Sequence, residues 1–289
     1  MNGLKSLLIV LHLLLSACAA TPSASTSVDG DGLDVFTTGW RNDRTWRDGQ
    51  AECCVYDATR AIYGTIRHYR ARVYTDLEAV NLATRTKSAS NRGYSVFKHH
   101  IREDIQTENY AYHYSTMAFI GSRDLKSFKL DMGSEEDCGA TFKQVINADG
   151  LLGWNSFSYF PDQGHTRGSM PATDDLAFND ALGFILRGYP FEKKTSITLR
   201  VVPRQASNKE TSMQPVLRRV HFIATKTIDL PVGKTVAHHL FVEPDEHYWF
   251  AADGSAPMLH VMVRYDGPVG HSYRLRSIDR RKYWERKTR

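Results

Sequence analysis

Tyr110-Ala111-Tyr112-His113-Tyr114-Ser115 is the stretch that decides the fold. In an extended chain Tyr110, Tyr112 and Tyr114 share one face, and Ala111, His113 and Ser115 share the other. A period of two marks a β-strand; a helix would scatter the three rings around its axis. The pattern recurs outward in both directions. Upstream, Ala51, Cys53 and Val55 alternate with Glu52, Cys54 and Tyr56, and Tyr69, Ala71 and Val73 alternate with His68, Arg70 and Arg72. Downstream it returns at Val220, Phe222 and Ala224, at Val236, His238, Leu240 and Val242, and at Leu259, Val261 and Val263. Gly64, Pro231-Val232-Gly233, Asp253-Gly254 and Asp266-Gly267 supply turns between such runs.

One segment carries the other period. Thr173 suits a helix cap, and Asp174 and Asp175 suit a first turn. Phe178, Leu182, Ile185 and Leu186 follow the spacing of a buried stripe. Arg187, Gly188 and Pro190 close it. The spacing predicts one amphipathic helix of about 14 residues, roughly 21 Å long. The fold class expected is mainly β (α+β): a long antiparallel sheet or half-barrel with one covering amphipathic helix. Residues 41–289 then form a single β-rich domain in two halves, 41–165 and 170–289. One extended sheet is preferred to two, because the gap between the halves is short and reads as helical.

The N-terminus sets the compartment. Lys5 precedes an apolar run from Leu7 to Leu15 that only His12 interrupts, too short to span a membrane stably. Leu15-Ser16-Ala17-Cys18 resembles the bacterial lipobox. The resemblance implies a signal peptide over 1–17 and a lipidated, palmitate-bearing Cys18 as the mature N-terminus. Ala19 in place of aspartate implies the outer membrane, facing the periplasm or the cell surface. Small polar residues after Cys18 read as a flexible tether over 18–40, and no later stretch is long and apolar enough for a transmembrane helix.

The net charge of +5 gathers at the C-terminal end, where Arg274, Arg276, Arg280, Arg281, Lys282, Arg286, Lys287 and Arg289 face only Asp279 and Glu285. A solvated strand end accounts for it, and lipid phosphates are a second possible neighbour. Nucleic acid is excluded as a partner by the exported location. With Cys18 assigned to lipid, Cys53, Cys54 and Cys138 remain. An exported chain permits a disulfide between Cys138 and either Cys53 or Cys54. Strand neighbours point to opposite faces, so only one of that pair could reach.

Catalytic signatures are missing. There is no G-x-S-x-G elbow, P-loop or H-E-x-x-H. His99-His100 with His113, and His238-His239 with Glu243 and His247, offer one side chain per strand face, which implies no metal. No cofactor is implied. A thiol- or carboxylate-dependent hydrolase would have to centre on Glu136 and Cys138, with His99 or His113 as base. The acidic run Glu135-Glu136-Asp137 beside Cys138 disfavours a thiolate. A non-enzyme is therefore favoured. Met117 and Phe119 oppose the tyrosines, and Phe157 and Tyr159 oppose Trp154 and Phe160, so apolar surface exceeds what one helix covers. It either fills a core or lines a cavity at Tyr112, Tyr114, Phe157 and Tyr159 shaped for an acyl chain or similar molecule. The leading expectation is a tethered protein binding an apolar or lipid ligand, or an envelope partner; a structural envelope protein is the remaining alternative.

Several segments together carry a family resemblance. They are Trp46 to Glu52, Tyr56-Asp57, Tyr63-Gly64 with Arg67, Val96-Phe97-Lys98, Asn109-Tyr110-Ala111-Tyr112, Ser134 to Gly139 and Ser158-Tyr159-Phe160. Their order resembles an uncharacterised family of bacterial lipoproteins. Some members are labelled septum formation inhibitor, a name shared with cytoplasmic nucleotide pyrophosphatases that are not exported. The second half, with Leu230-Pro231-Val232-Gly233-Lys234 and Tyr248-Trp249-Phe250, is similar to an exported domain of unknown function. The resemblance covers most of the mature chain and brings no known activity. It implies a half-barrel like that of periplasmic lipoprotein carriers. Asp137 stands where the family often has an aromatic residue, a departure at the Cys138-Gly139 pair.

Overall fold

A computed structural model describes residues 32–90, 92–173, 175–253 and 261–285. The tyrosine stretch lies in strand β5 (Ala111–Gly121), where Tyr112 and Tyr114 are buried and His113 is exposed. The chain enters the sheet at β1 (Ala51–Ile62), and β2 (Thr65–Asn81) returns beside it. Tyr63 and Gly64 make the turn between them with φ of 51° and 74°. Two successive positive values belong to the type I′ turn, whose twist matches that of the flanking strands.

An antiparallel meander then runs outward through β4 (Tyr94–Gln106), β5, β6 (Ser127–Glu136), β7 (Gly139–Ala148), β8 (Leu151–Ser158) and β9 (Gly164–Pro171), with the short β3 (Thr86–Lys87) paired on the end of β2. From that edge the chain crosses to the opposite one, where β10 (Leu176–Phe178) pairs parallel with β11 (Ser196–Val202). A second antiparallel meander returns through β12 (Val216–Leu230), β13 (Gly233–Val242), β14 (Glu246–Ala251), β15 (Met262–Asp266) and β16 (Ser272–Arg281). Finally β16 pairs antiparallel with β1, placing Leu275 opposite Tyr56, and joins both meanders into one open 16-stranded sheet. The fold is mainly β, one long sheet curved as a half-barrel, with little helix.

Curvature is visible in contacts between strands far apart in the sheet order. Phe178 N–H of the β10 edge donates to Ser127 Oγ of β6 at 2.9 Å. The segment that follows β10 packs against both β5 and β15. Only a sheet wrapped around that segment can make all three contacts.

The wrapped segment corrects the expected helix. Helical geometry is continuous α only over Leu182–Ile185, with 3-10 turns at Asn179–Ala181 and Leu186–Gly188. Leu176–Phe178 is strand, and Thr173 hydrogen-bonds Asp175 without starting a helix. The reason is enclosure. Leu176, Phe178, Ala181, Leu182, Phe184, Ile185 and Leu186 are all fully or almost fully buried, so there is no solvent face for a stripe to oppose. Gly183 and Gly188 permit close approach: a Cβ at Gly183 would lie 2.6 Å from Met262 Sδ, and one at Gly188 2.8 Å from Trp40 Nε1. The segment is a plug, not a cover.

A second correction concerns the tether. Its expected end at residue 40 is too late, because Leu33, Phe36 and Trp40 are buried. Trp40 belongs to an aromatic cluster with Trp46, Phe97 and Phe184, whose ring centroids lie 4.9–6.5 Å apart. Rings at such separations in stacked and edge-on arrangements gain more than their buried area alone supplies. An ion pair pins the plug to β1 as well. Arg187, 1 % exposed, donates to both Glu52 oxygens at 2.6 and 3.2 Å, and Glu52 is 4 % exposed.

Candidate functional site

The loop joining β11 to β12 closes one end of the half-barrel. Asp180 in the plug accepts from the backbone N–H groups of Gln205 and Ala206 at 2.8 and 3.1 Å. Lys143 of β7 donates to the carbonyls of Gln205 and Lys209 and to Thr211 Oγ1. Burial pulls the Lys143 ammonium down to about 8, and Asp180 and Glu210 partly oppose this. Thr141 Oγ1 donates to Asn208 C=O at 3.0 Å. The loop is thereby tied to the plug and to β7.

Between this loop and the β1–β2 turn lies a cavity of about 570 Å³. Arg60, Tyr63, Tyr112, Tyr114, Glu136 and Phe160 line it, with Ser207 to Lys209 on the loop side. Tyr112 and Tyr114 stack along β5 with interplanar angle 9°. Tyr63 reaches over from its turn and stands edge-on to Tyr112, its hydroxyl hydrogen-bonded to those of Tyr112 and Tyr110. Burial first, then contact with the Tyr63 and Tyr110 hydroxyls and Glu136, holds the Tyr112 phenol well above its ordinary pKa. It is a neutral hydrogen-bonding group at any physiological pH.

Arg60 sits beneath the rim. Its guanidinium lies 3.9 Å from the centre of the Tyr114 ring, pairs with Glu103 at 3.1 Å and donates to Ala206 C=O at 2.6 Å. Burial works against its charge, and Glu103 together with Tyr114 and Tyr69 more than offsets this. Glu103 also accepts from the hydroxyls of Tyr69 and Tyr273, so that carboxylate is fully engaged. Glu136 differs. It is 8 % exposed, and its buried Oε2 has no hydrogen-bond partner.

Tyr112 and Tyr114, expected to line a ligand cavity, and Glu136, expected only as a hydrolase centre, come together at this cavity. Phe157 and Tyr159 do not: Phe157 points to the outer face against His165, and Tyr159 is 81 % exposed. Phe160 takes the place expected for Tyr159, because the chain leaves β8 at Ser158 and alternation lapses there. Arg60, Tyr63 and the loop residues were not foreseen. Their one signal was Tyr63-Gly64, a bulky ring where a type I′ turn prefers Asn or Asp.

The hydrolase constellation is not assembled. His99 is buried on the inner face of β4, hydrogen-bonded to Thr75 at 2.8 Å. Burial, then Arg187 and His100, pulls it down to about 3. His113 is on the outer face, paired with Asp104 at 2.8 Å. Cys138 is exposed in the β6–β7 turn, and the expected disulfide is corrected: Cys53, Cys54 and Cys138 are all free. Three strands, β2, β4 and β5, separate the cysteines of β1 from β6 in the sheet. Among the described residues no group of three His, Cys, Asp or Glu side chains could hold a metal ion. The lipidation position, Cys18, lies outside the described residues. No protein-family model, curated protein or solved structure matches this chain.

Proposed function

We propose that this chain is an exported lipoprotein, anchored to the outer membrane through Cys18, that binds an amphiphilic or lipid-derived small molecule without chemically changing it. The observation that carries the reading is the cavity at the end of the half-barrel. Its volume of about 570 Å³ falls within the range of small-molecule sites. Ile62, Phe160 and the tyrosine rings offer apolar surface, and Arg60, Glu136 and Asn208 offer polar contacts. That mixture suits a molecule with an apolar body and a polar head. Leu182, Phe184, Ile185 and Leu186 fill the middle of the half-barrel, so the site suits a head group and a short length of chain. The Glu136, Cys138, His99 and His113 positions give no support to a hydrolase.

Tyr63→Asn is the direct test. Asn suits the turn, so the hairpin is preserved while the ring leaves the rim. Titration of an uncharged fluorescent long-chain alcohol probe into the purified protein is expected to saturate. Affinity should fall about two- to tenfold in Tyr63→Asn, with the unfolding midpoint undiminished. Absence of saturable binding to the wild-type protein overturns the reading.

A further inference from the structure

Glu136, in contact with the Tyr112 hydroxyl, keeps a buried Oε2 with no hydrogen-bond partner. A buried carboxylate oxygen without a donor is costly, and native proteins supply it with a partner. Two nearby cations are committed elsewhere, Arg60 to Glu103 and the Ala206 carbonyl, Lys143 to the carbonyls of Gln205 and Lys209 and to Thr211; Lys209, on the loop side of the cavity, is exposed and makes no ion pair with Glu136. Glu136 lines the cavity, next to the rings of Tyr112 and Tyr63. Ser134, two residues earlier on the same inward face of β6, also has a buried hydroxyl with no partner. A neutral hydroxyl on a ligand would satisfy one hydrogen bond and leave the carboxylate charge uncompensated. A metal ion would need further acidic or imidazole ligands, and the described residues form no such group.

Resting on the reading of this cavity as the ligand site, we propose that it selects a protonated organic amine, whose ammonium pairs with the Glu136 carboxylate and lies against the Tyr63 ring. The aromatic surface is suited to this. Tyr114 already carries the Arg60 cation on its ring face at 3.9 Å, and a ring quadrupole attracts an ammonium in the same way. Tyr63, 74 % exposed and edge-on to the buried Tyr112, is the ring that offers free surface at the cavity for a second cation. The hydroxyls of Tyr63 and Tyr112 can accept further N–H groups. The amine could arrive on a phospholipid or amphiphile head or as a free diamine, and the two sources share this recognition.

Calorimetric titration of the purified full chain with dodecylammonium, dodecanol and dodecanoate separates the effects of head and chain. Dodecylammonium is expected to bind about ten- to a hundredfold more tightly than dodecanoate. Glu136→Gln, isosteric and uncharged, should erase the preference for dodecylammonium over dodecanoate. Putrescine in a parallel titration identifies the source: comparable binding, equally sensitive to Glu136→Gln, supports the proposal with a free diamine as ligand. Weak putrescine binding beside tight dodecylammonium binding supports it with an amphiphile. If the three dodecyl compounds bind alike and Glu136→Gln alters none of them, the ammonium proposal is overturned and the cavity reading stands. If none of the probes binds, both are overturned.

Discussion

Cutting the Glu52–Arg187 pair should cost more than any surface change, because both partners lie deep between plug and sheet. Arg187 is 1 % exposed and Glu52 4 % exposed, joined by contacts of 2.6 and 3.2 Å. Glu52→Gln leaves a guanidinium in the interior with no counter-charge. Breaking a buried pair from one side typically costs about 3–5 kcal/mol, whereas replacing both partners by apolar groups is often neutral. Arg187→Met should cost less than Glu52→Gln, since Glu52 can take up a proton when its partner is lost. The double variant Glu52→Leu, Arg187→Met should return to within about 1–2 kcal/mol of the wild type, because Met can follow the aliphatic stem of Arg187 beside Phe184. Urea unfolding followed by far-ultraviolet circular dichroism, with a comparable m-value for the wild type, Glu52→Leu, Arg187→Met and the double variant, gives the coupling energy from the double-mutant cycle. A coupling of several kcal/mol supports a plug locked to β1. A cost below about 1 kcal/mol for Glu52→Gln, with no coupling, would refute a plug held by this pair.

Other expectations follow from the buried groups and the anchor. His99 titrates near pH 3 when folded against an ordinary value of 6.5; between these pH values the unfolded chain binds the extra proton, so stability falls as pH drops through that window. His99→Gln should therefore flatten the loss between pH 6.5 and 4 by about 1.4 kcal/mol per pH unit, measured as denaturant midpoints at successive pH values; an unchanged slope would contradict the buried, neutral imidazole. Cys138, being exposed, should be labelled by a thiol reagent in the native protein, while Cys53 and Cys54 wait for unfolding, since burial hides both and raises the Cys54 thiol well above its usual value; labelling of all three in the native protein would contradict the register of β1. Cys18→Ala should release the protein from membranes, and retention after a high-salt wash would count against the lipid anchor.

How far the sequence foretold this molecule depended on which environment each segment met. Tyr110 to Ser115 showed its strand because one face of β5 meets the interior, and a period of two survives that asymmetry. The segment from Thr173 to Arg187 misled for the opposite reason: surrounded by sheet, it buries nearly every side chain, and its apolar spacing no longer reports a helix face. Leu33, Phe36 and Trp40 were hidden among small polar residues, and only their packing on Phe184 and Gly188 shows them to be core. Within the site, Tyr112 and Tyr114 were legible because alternation along β5 turns both inward, whereas Glu136 was singled out only as a hydrolase centre. Arg60, Tyr63 and Asn208 were not, because they meet through a turn and a loop whose paths depend on the whole sheet.

The central claim is that the cavity between Tyr63, Tyr112 and Glu136 holds a small molecule in the cell. Native mass spectrometry of the protein released from its own envelope tests it most directly. The account predicts a stoichiometric adduct that contains an amine, dissociates on denaturation and is depleted in both Tyr63→Asn and Glu136→Gln. A bare mass in the wild-type protein, or an adduct retained equally by both variants, would contradict it.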